Sequence, residues 1–336
     1  MTSTHQPCVN DQAGLDVVCA GESMVMFVPD PPGPVTDSMA FRPTVAGAES
    51  NVACFVAQLG LQSAWVSRLG DDAFGDFVLN QLGGFGVHVE QVERDACHPT
   101  GIAFKEIAAS GTRVRYYRSG SAASRMDARV AQVVRHLGPR VIHLSGITAA
   151  LSPSCDALLT ELIRERSNRS LLSFDVNWRP SLWSGADPGV LLDAARNADV
   201  VFVGEDEAGE VWDVHGAPAV RELLPDVPRL VVKQGAAGAT AFVGEEQTFV
   251  PALQVDVVEQ VGAGDAFAAG FVVGVLRDLP VKMCLRLGTI TAAAALRVHS
   301  DVGPMPSPCV VDQLLALDDN EWKGARVGAL EADVEV

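Results

Sequence analysis

The chain has 336 residues, 48% of them hydrophobic, and a formal net charge of −17 at pH 7. That length accommodates one large α/β domain, or a domain with a small appendage, and buries enough surface to need no covalent staples. The acidic balance excludes a nucleic-acid backbone or an anionic membrane as partner, because both are held through clustered Lys and Arg. A phosphorylated small ligand needs only a few local donors and stays open.

Residues 1–14 are polar, lack the apolar core of a secretion signal and are expected as a disordered tail. No uncharged apolar run of about 18 residues occurs, so no membrane span is expected. The seven cysteines are scattered, with no Cys-x-x-Cys pair. That pattern argues against a zinc site and fits reduced thiols in a cytoplasmic protein.

Leu15 to Met26 is strand-like and ends in Gly21-Glu22-Ser23; Pro29 to Pro34 is an irregular excursion. Ser50 to Gly60 reads as a helix, with Val52, Phe55, Val56 and Leu59 at helical spacing and Gly60 as its stop. Ala64 to Leu69 reads as a strand. Ile102 to Ile107 and Arg113 to Tyr117 alternate in polarity and form a hairpin around Ser110-Gly111. From about residue 135, short apolar strands alternate with helical stretches. These strands are Val141 to Leu144, Leu171 to Asp175, Val200 to Val203 and Leu230 to Val232. This is the rhythm of a mostly parallel sheet covered on both faces, which binds ligands beyond the carboxyl ends of its strands. Polar residues fall at those ends: Ser145-Gly146, Asp175-Val176-Asn177, Gly204-Glu205 and Lys233-Gln234-Gly235. Residues 15–318 are expected as one domain, and residues 319–336 as an acidic tail with a frayed end.

The sharpest feature is a strand-like run, Val255 to Val261, followed by Gly262-Ala263-Gly264-Asp265 and an apolar helix. Small residues let successive N–H groups converge, and the helix start adds unpaired amides and a positive dipole end. Together they can cradle a transferring phosphate. Asp265 can accept a proton from an attacking hydroxyl. Spacing alone equally allows Asp265 to be a simple helix cap. There is no third Gly at dinucleotide spacing and no Gly-Lys-Ser/Thr, so neither a Rossmann nor a Walker loop fits.

This segment resembles the C-terminal signature of the PfkB, or ribokinase-like, carbohydrate kinases. Ala46-Gly47-Ala48-Glu49-Ser50-Asn51-Val52-Ala53, with Leu59-Gly60 and Arg68-Leu69-Gly70-Asp71-Asp72-x-Phe74-Gly75, resembles the family's N-terminal signature. The resemblance covers roughly residues 15–315. It implies a three-layer α/β sandwich with a mostly parallel sheet and a small β lid, drawn from about residues 24–45 and 98–120. It further implies ATP, Mg²⁺ and room for a monovalent cation, with Asp265 as general base and the amides of Gly262, Ala263 and Gly264 as anion hole.

Gly204-Glu205-Asp206-Glu207 stands where the family has Asn-x-x-Glu. The resemblance makes Glu207 a metal-linked residue, acting through water, and leaves Gly204 as a departure. Lys233-Gln234-Gly235-x-x-Gly238 resembles the nucleotide-side turn and implies nucleotide contacts from Lys233, Gly235 and Gly238. Tyr116-Tyr117-Arg118, Ser145-Gly146-Ile147 and Asp175-Val176-Asn177-Trp178-Arg179 resemble the 2-keto-3-deoxygluconate kinase branch, whose substrate carries a carboxylate. Gly47, Asn51, Tyr116, Arg118, Ile147 and Arg179 would then line the sugar pocket, and Asp175 would orient a neighbour or a metal-bound water. Arg118 and Arg179 would offer the forked donors a carboxylate takes. Ala46 and Ala103 depart from the Gly and Tyr found there in other members.

The expected activity is therefore transfer of a phosphoryl group from ATP to the 6-hydroxyl of 2-keto-3-deoxygluconate. A fructokinase- or ribokinase-like enzyme for a neutral sugar is the alternative, and a non-catalytic sugar or nucleotide sensor a more distant one. A homo-oligomer paired through the lid is implied by the resemblance alone.

Overall fold

The computed structural model describes residues 14–108, 111–183 and 187–327. In chain order its strands are β1 (Val17–Ala20), β2 (Met24–Pro29), β3 (Phe41–Ala46), β4 (Ser63–Val66), β5 (Arg68–Gly70), β6 (Glu93–Asp95) and β7 (Ile102–Ala108). There follow β8 (Gly111–Tyr117), β9 (Val141–Ser145), β10 (Leu171–Asp175), β11 (Val200–Gly204), β12 (Arg229–Lys233), β13 (Gly238–Val243) and β14 (Glu246–Pro251). The central sheet has the order β14-β13-β12-β11-β10-β9-β1-β4. Neighbouring strands run parallel from β4 to β12, and β13 is antiparallel to both of its neighbours.

The strands are apolar on both faces because both faces are covered. Val17, Cys19, Val200 and Phe202 pack into one core with helices Ala48–Gln58, Ala263–Leu276 and Val281–Leu296. Val18, Ala20, Val201 and Val203 pack into a second core with helices Ala128–Leu137, Pro153–Glu165 and Gly189–Arg196. The result is the ribokinase-like three-layer sandwich.

A separate sheet, β3-β2-β7-β8, stands beyond the carboxyl end of β1. Leu15 to Met26, expected as one strand, is two: the chain breaks at Gly21–Ser23, and Met24 opens β2 of the second sheet. Gly21 carries no side chain because the Glu49 carboxyl carbon lies 2.1 Å from where its Cβ would be. Ala64 to Leu69 divides the same way at Ser67, β4 joining the central sheet and β5 pairing with β6. The expected hairpin is β7–β8, in which Ile102 faces Tyr117 and Ala103 faces Tyr116; its turn residue Ser110 lies outside the described residues.

Two further expectations are corrected. Val255 to Val261 forms no strand; its only ladder neighbour is a single bridge at Gln254, and Val257 and Val258 are exposed. The chain past Asp318 is not a tail as far as residue 327. It forms a helix, Asp319–Gly324, capped by the Asp318 carboxylate. Trp322, only 1% exposed, anchors that helix by donating to the Pro251 carbonyl at 2.9 Å beneath the Arg286 guanidinium. One buried indole outweighs the acidic composition that marked the segment as solvated. Residues 1–13 of the expected N-terminal tail and the last residues, 328–336, lie outside the described residues.

Candidate active site

Helix Ala263–Leu276 is apolar on every side because it is buried on every side. Its small residues let helix Val281–Leu296 approach closely: a Cβ on Gly270 would sit 2.5 Å from Thr291 Oγ1. Such packing fixes the helix's N-terminus rigidly at the sheet's carboxyl edge. Gly262 begins the helix at φ 85°, in the left-handed region, with the Asp301 carbonyl oxygen 2.3 Å from where a Cβ would be. No other residue type fits that position. The Ala263 amide is directed at the Gln260 carbonyl, 3.4 Å away. Gly264 and Asp265, in the helix's first turn, have no helical acceptor for their amides.

Asp265 is half-buried and held by two side-chain amides. Asn51 Nδ2 donates to its Oδ2 at 2.8 Å, and Asn177 Nδ2 to its Oδ1 at 3.2 Å. Asn51 was expected on a sugar hydroxyl; its amide donates to Asp265, and its side chain borders the cavity. Asn177 was not singled out. It adopts φ 42°, a conformation Asn tolerates better than most residues. Its place directly after β10, at a ligand-binding strand end, was the available signal. Burial pushes the Asp265 carboxyl up to about 7, against the Asn51 hydrogen bond and the Arg179 and Lys233 charges.

Two cavities meet at this helix start. One, of about 660 Å³, lies under the second sheet and is bordered by Gly47, Tyr116, Arg118, Ile147, Arg179 and Asp265. The other, of about 810 Å³, is more apolar and is bordered by Gly235, Gly238, Leu253, Ala263, Phe267 and Leu296. Glu207, Lys233, Val257, Gln260 and Gly264 border both. Asp265 faces the first cavity alone and Ala263 the second alone.

At the boundary, Lys233 Nζ donates to Asp175 Oδ1 at 3.0 Å and Oδ2 at 2.8 Å. Burial pulls the ammonium's pKa down, but the Asp175 and Glu207 carboxylates hold it at about 12. Its nitrogen lies 3.3 Å from where a Cβ on Gly264 would be, beside the helix amides. Asp175 therefore orients a lysine. Glu207 folds back so that Oε2 accepts from the Gly204 amide at 2.6 Å, while Oε1 lies 3.7 Å from Arg179. The Gly204 departure explains this pose, since a Cβ there would be 3.0 Å from Glu207 Oε2 and 2.5 Å from Asp206 Oδ1.

In the first cavity Arg118 forms an ion pair with Glu22, a carboxylate only 2% exposed, and lies over the Tyr116 ring. Ser121 Oγ donates to the other Glu22 oxygen at 2.5 Å. Arg118 thus already has a counter-charge, which the sequence reading missed. Arg179 is more open; it donates to the Trp178 carbonyl at 2.8 Å, and its side chain is 46% exposed. Burial raises the Tyr116 phenol, and the Arg179 and Arg118 guanidiniums pull it back. Ala46 borders this cavity; Ala103 is fully buried among Met24, Met26 and Val28. Below the cavity, Glu49 Oε1 accepts from Ser145 Oγ and Thr148 Oγ1, both at 2.7 Å, tying the Gly47–Asn51 turn to the Gly146–Ala150 helix. Burial raises its pKa.

Two cavities that converge on a carboxylate and an amide-rich helix start define a group-transfer enzyme. The chain belongs to the pfkB family of carbohydrate kinases, whose model it matches over residues 15–308. It is thus a phosphotransferase with an alcohol group as acceptor. It is 35% identical over 307 residues to 2-dehydro-3-deoxygluconokinase of Bacillus subtilis, covering 87% of this chain and 93% of that protein. It is 33% identical over 273 residues to fructokinase-2 of Zea mays, covering 78% and 80%. The crystal structure of 2-dehydro-3-deoxygluconokinase from Thermotoga maritima superposes with a TM-score of 0.82 at 25% identity, covering 90% of this chain and 99% of that one.

Proposed function

We propose that this kinase transfers the γ-phosphoryl group of ATP to the 6-hydroxyl of 2-keto-3-deoxygluconate, giving the 6-phosphate and ADP. The observation that carries this reading is the pair of cavities sharing Gly264 and Lys233, with Asp265 on one side only. The sugar occupies the cavity that contains Asp265. ATP occupies the apolar cavity and points its phosphates at the shared boundary.

Asp265 takes the proton from the attacking hydroxyl as the new O–P bond forms and the bond to ADP breaks. The carboxyl's upward shift brings its proton affinity closer to the working pH, where a general base is most effective. The amides of Gly262 and Gly264, with the helix dipole, take up charge on the phosphoryl oxygens, and the Ala263 amide joins them by turning from its long 3.4 Å contact with the Gln260 carbonyl. Lys233 adds positive charge beside them. Phosphoryl transfer needs little more than such positioning and charge stabilisation.

Among the described residues no three His, Cys, Asp or Glu side chains gather into a metal cage. The Glu207 carboxylate at the boundary of the two cavities fits Mg²⁺, which takes most of its ligands from phosphates and water. Glu207 would hold it through water, and the ion would supply further charge neutralisation on the phosphates.

Arg118 and Arg179, both bordering the sugar cavity, support an acid substrate. Glu22, by neutralising Arg118, favours the second reading, a neutral hexose or pentose. Arg118→Ala separates the two. It should cost an acid substrate far more kcat/KM than a neutral sugar; equal small losses would remove the acid assignment. The lid's aromatic side chains, with Phe27 stacked on Phe104 at 5.2 Å and Phe41 and Tyr117 edge-on to it, are where a second copy of the chain would pair.

A further inference from the structure

Lys105 takes no part in the transfer just described, yet it is fully buried, in strand β7 of the lid. Among the described residues, its ammonium meets oxygens of the main domain alone. Nζ donates to the His299 carbonyl at 3.1 Å and lies 3.5 Å from Asp301 Oδ1 and 3.7 Å from Glu259 Oε2. Both carboxylates are more than nine-tenths buried. Burying three charges is costly, and an apolar side chain would fill the same space without that cost. What the ammonium does that a leucine could not is fasten two loops to the lid.

Both loops end at the phosphate site. Glu259 Oε2 also accepts from Thr112 Oγ1 of strand β8 at 3.2 Å, while Oε1 accepts from the next amide of its own loop, Gln260, at 2.9 Å. Two residues further on is Gly262. The backbone of Asp301 packs directly on that same glycine. On the lid side, Lys105 lies two residues from Ala103, whose cross-strand partner is the sugar-cavity residue Tyr116. One buried cation therefore links the strands that cover the sugar to the turn that starts the phosphate helix.

We propose that Lys105 is a positioning residue for phosphoryl transfer, a cation built into the lid that draws segments 259–262 and 299–301 together and so sets the amides at the start of helix Ala263–Leu276. The inference rests on the reading of that helix start as the phosphate site. Removing the ammonium leaves a small pocket walled by two carboxylates and a carbonyl, which a free cation of the right size can enter.

The test is steady-state kinetics of the full-length enzyme, with whichever sugar the wild type phosphorylates, on Lys105→Ala, Lys105→Met and Lys105→Arg, with ethylammonium chloride or sodium chloride added. Misplacing the amides should lower kcat in the Ala and Met variants by roughly 10–100-fold, with sugar KM little changed. Ethylammonium should restore part of kcat to Lys105→Ala, but not to Lys105→Met, where the space is filled, and should leave the wild type unaffected. Lys105→Arg should keep most of its kcat. Wild-type kcat in Lys105→Ala, a loss confined to sugar KM, or no specific relief by ethylammonium would each overturn the proposal. If Lys105→Ala does not fold, Glu259→Gln carries the test: kcat must fall while sugar KM holds, and an unchanged kcat refutes the linkage. A wild type that phosphorylates no sugar would refute the phosphate reading itself; an active wild type with indifferent Lys105 variants refutes only this inference.

Discussion

The two ends of the cleft are built on different principles. The phosphate end is backbone: a glycine at positive φ, a run of small residues and the start of a helix locked inside the core. The sugar end is side chains on a thin sheet, and each charged group there already has a partner, Glu22 on Arg118 and Glu207 near Arg179. A backbone site is specified by a short contiguous motif and offers little to vary. A side-chain site is assembled from distant strands, and one added counter-charge can change what it selects.

The sharpest way to break this contrast is at Asp265, the side chain proposed to take the proton at the phosphate end. Asp265→Asn should lower kcat by about 10²–10⁴-fold while calorimetry still shows sugar and nucleotide binding; undiminished turnover would remove Asp265 as the base. Next in size is the sugar end. Arg118→Ala removes charge-assisted hydrogen bonds worth about 1.5–3 kcal/mol, so kcat/KM for an acid substrate should drop roughly 10–100-fold relative to fructose, as competition assays would show.

The pH dependence comes third. The Asp265 carboxyl is raised to about 7, and a base must be ionised, so kcat/KM should be flat above that pH and fall about tenfold per unit below it. The same shift has a stability sign. A carboxyl whose folded pKa is raised favours folding in its protonated form, and that contribution is lost as pH rises through about 7. Asp265→Asn should therefore gain in thermal stability over wild type as pH climbs from about 4 to 7, then hold level; a gap that shrinks over that range would contradict the burial argument. The smallest effect is expected at Glu207→Gln, which keeps a cap for the Gly204 amide and loses only charge. A several-fold rise in KM for the magnesium nucleotide, with kcat nearly kept, is the predicted result.

Much of the phosphate end was legible because its information is local. Gly262-Ala263-Gly264-Asp265 followed by an apolar helix states the turn, the helix start and the carboxylate beside it within a few residues. The central sheet was legible for a related reason, since strands buried on both faces read as continuous apolar runs. The sugar end was legible only as a set of residues. That Arg118 would face Glu22, or that Asn51 and Asn177 would hold Asp265, depends on pairings across large sequence separations that no periodicity records. That the lid begins at Met24 came from the resemblance and not from the apolar run, because the chain changes sheets at a three-residue break inside that run. The helix at Asp319–Gly324 was missed because a single tryptophan overrides an acidic composition. Lys105 carries no signal of its own in the sequence, and its burial against Glu259 and Asp301 gives it significance.

The most direct test of the account is ADP release from ATP and Mg²⁺ with purified enzyme and a panel of 2-keto-3-deoxygluconate, 2-keto-3-deoxygalactonate, gluconate, fructose and ribose, with an EDTA control. The account predicts turnover confined to the keto-deoxy acids and abolished by EDTA. Turnover on fructose or ribose alone would contradict it, leaving the phosphate end intact and showing that Glu22 has tuned Arg118 for a neutral sugar.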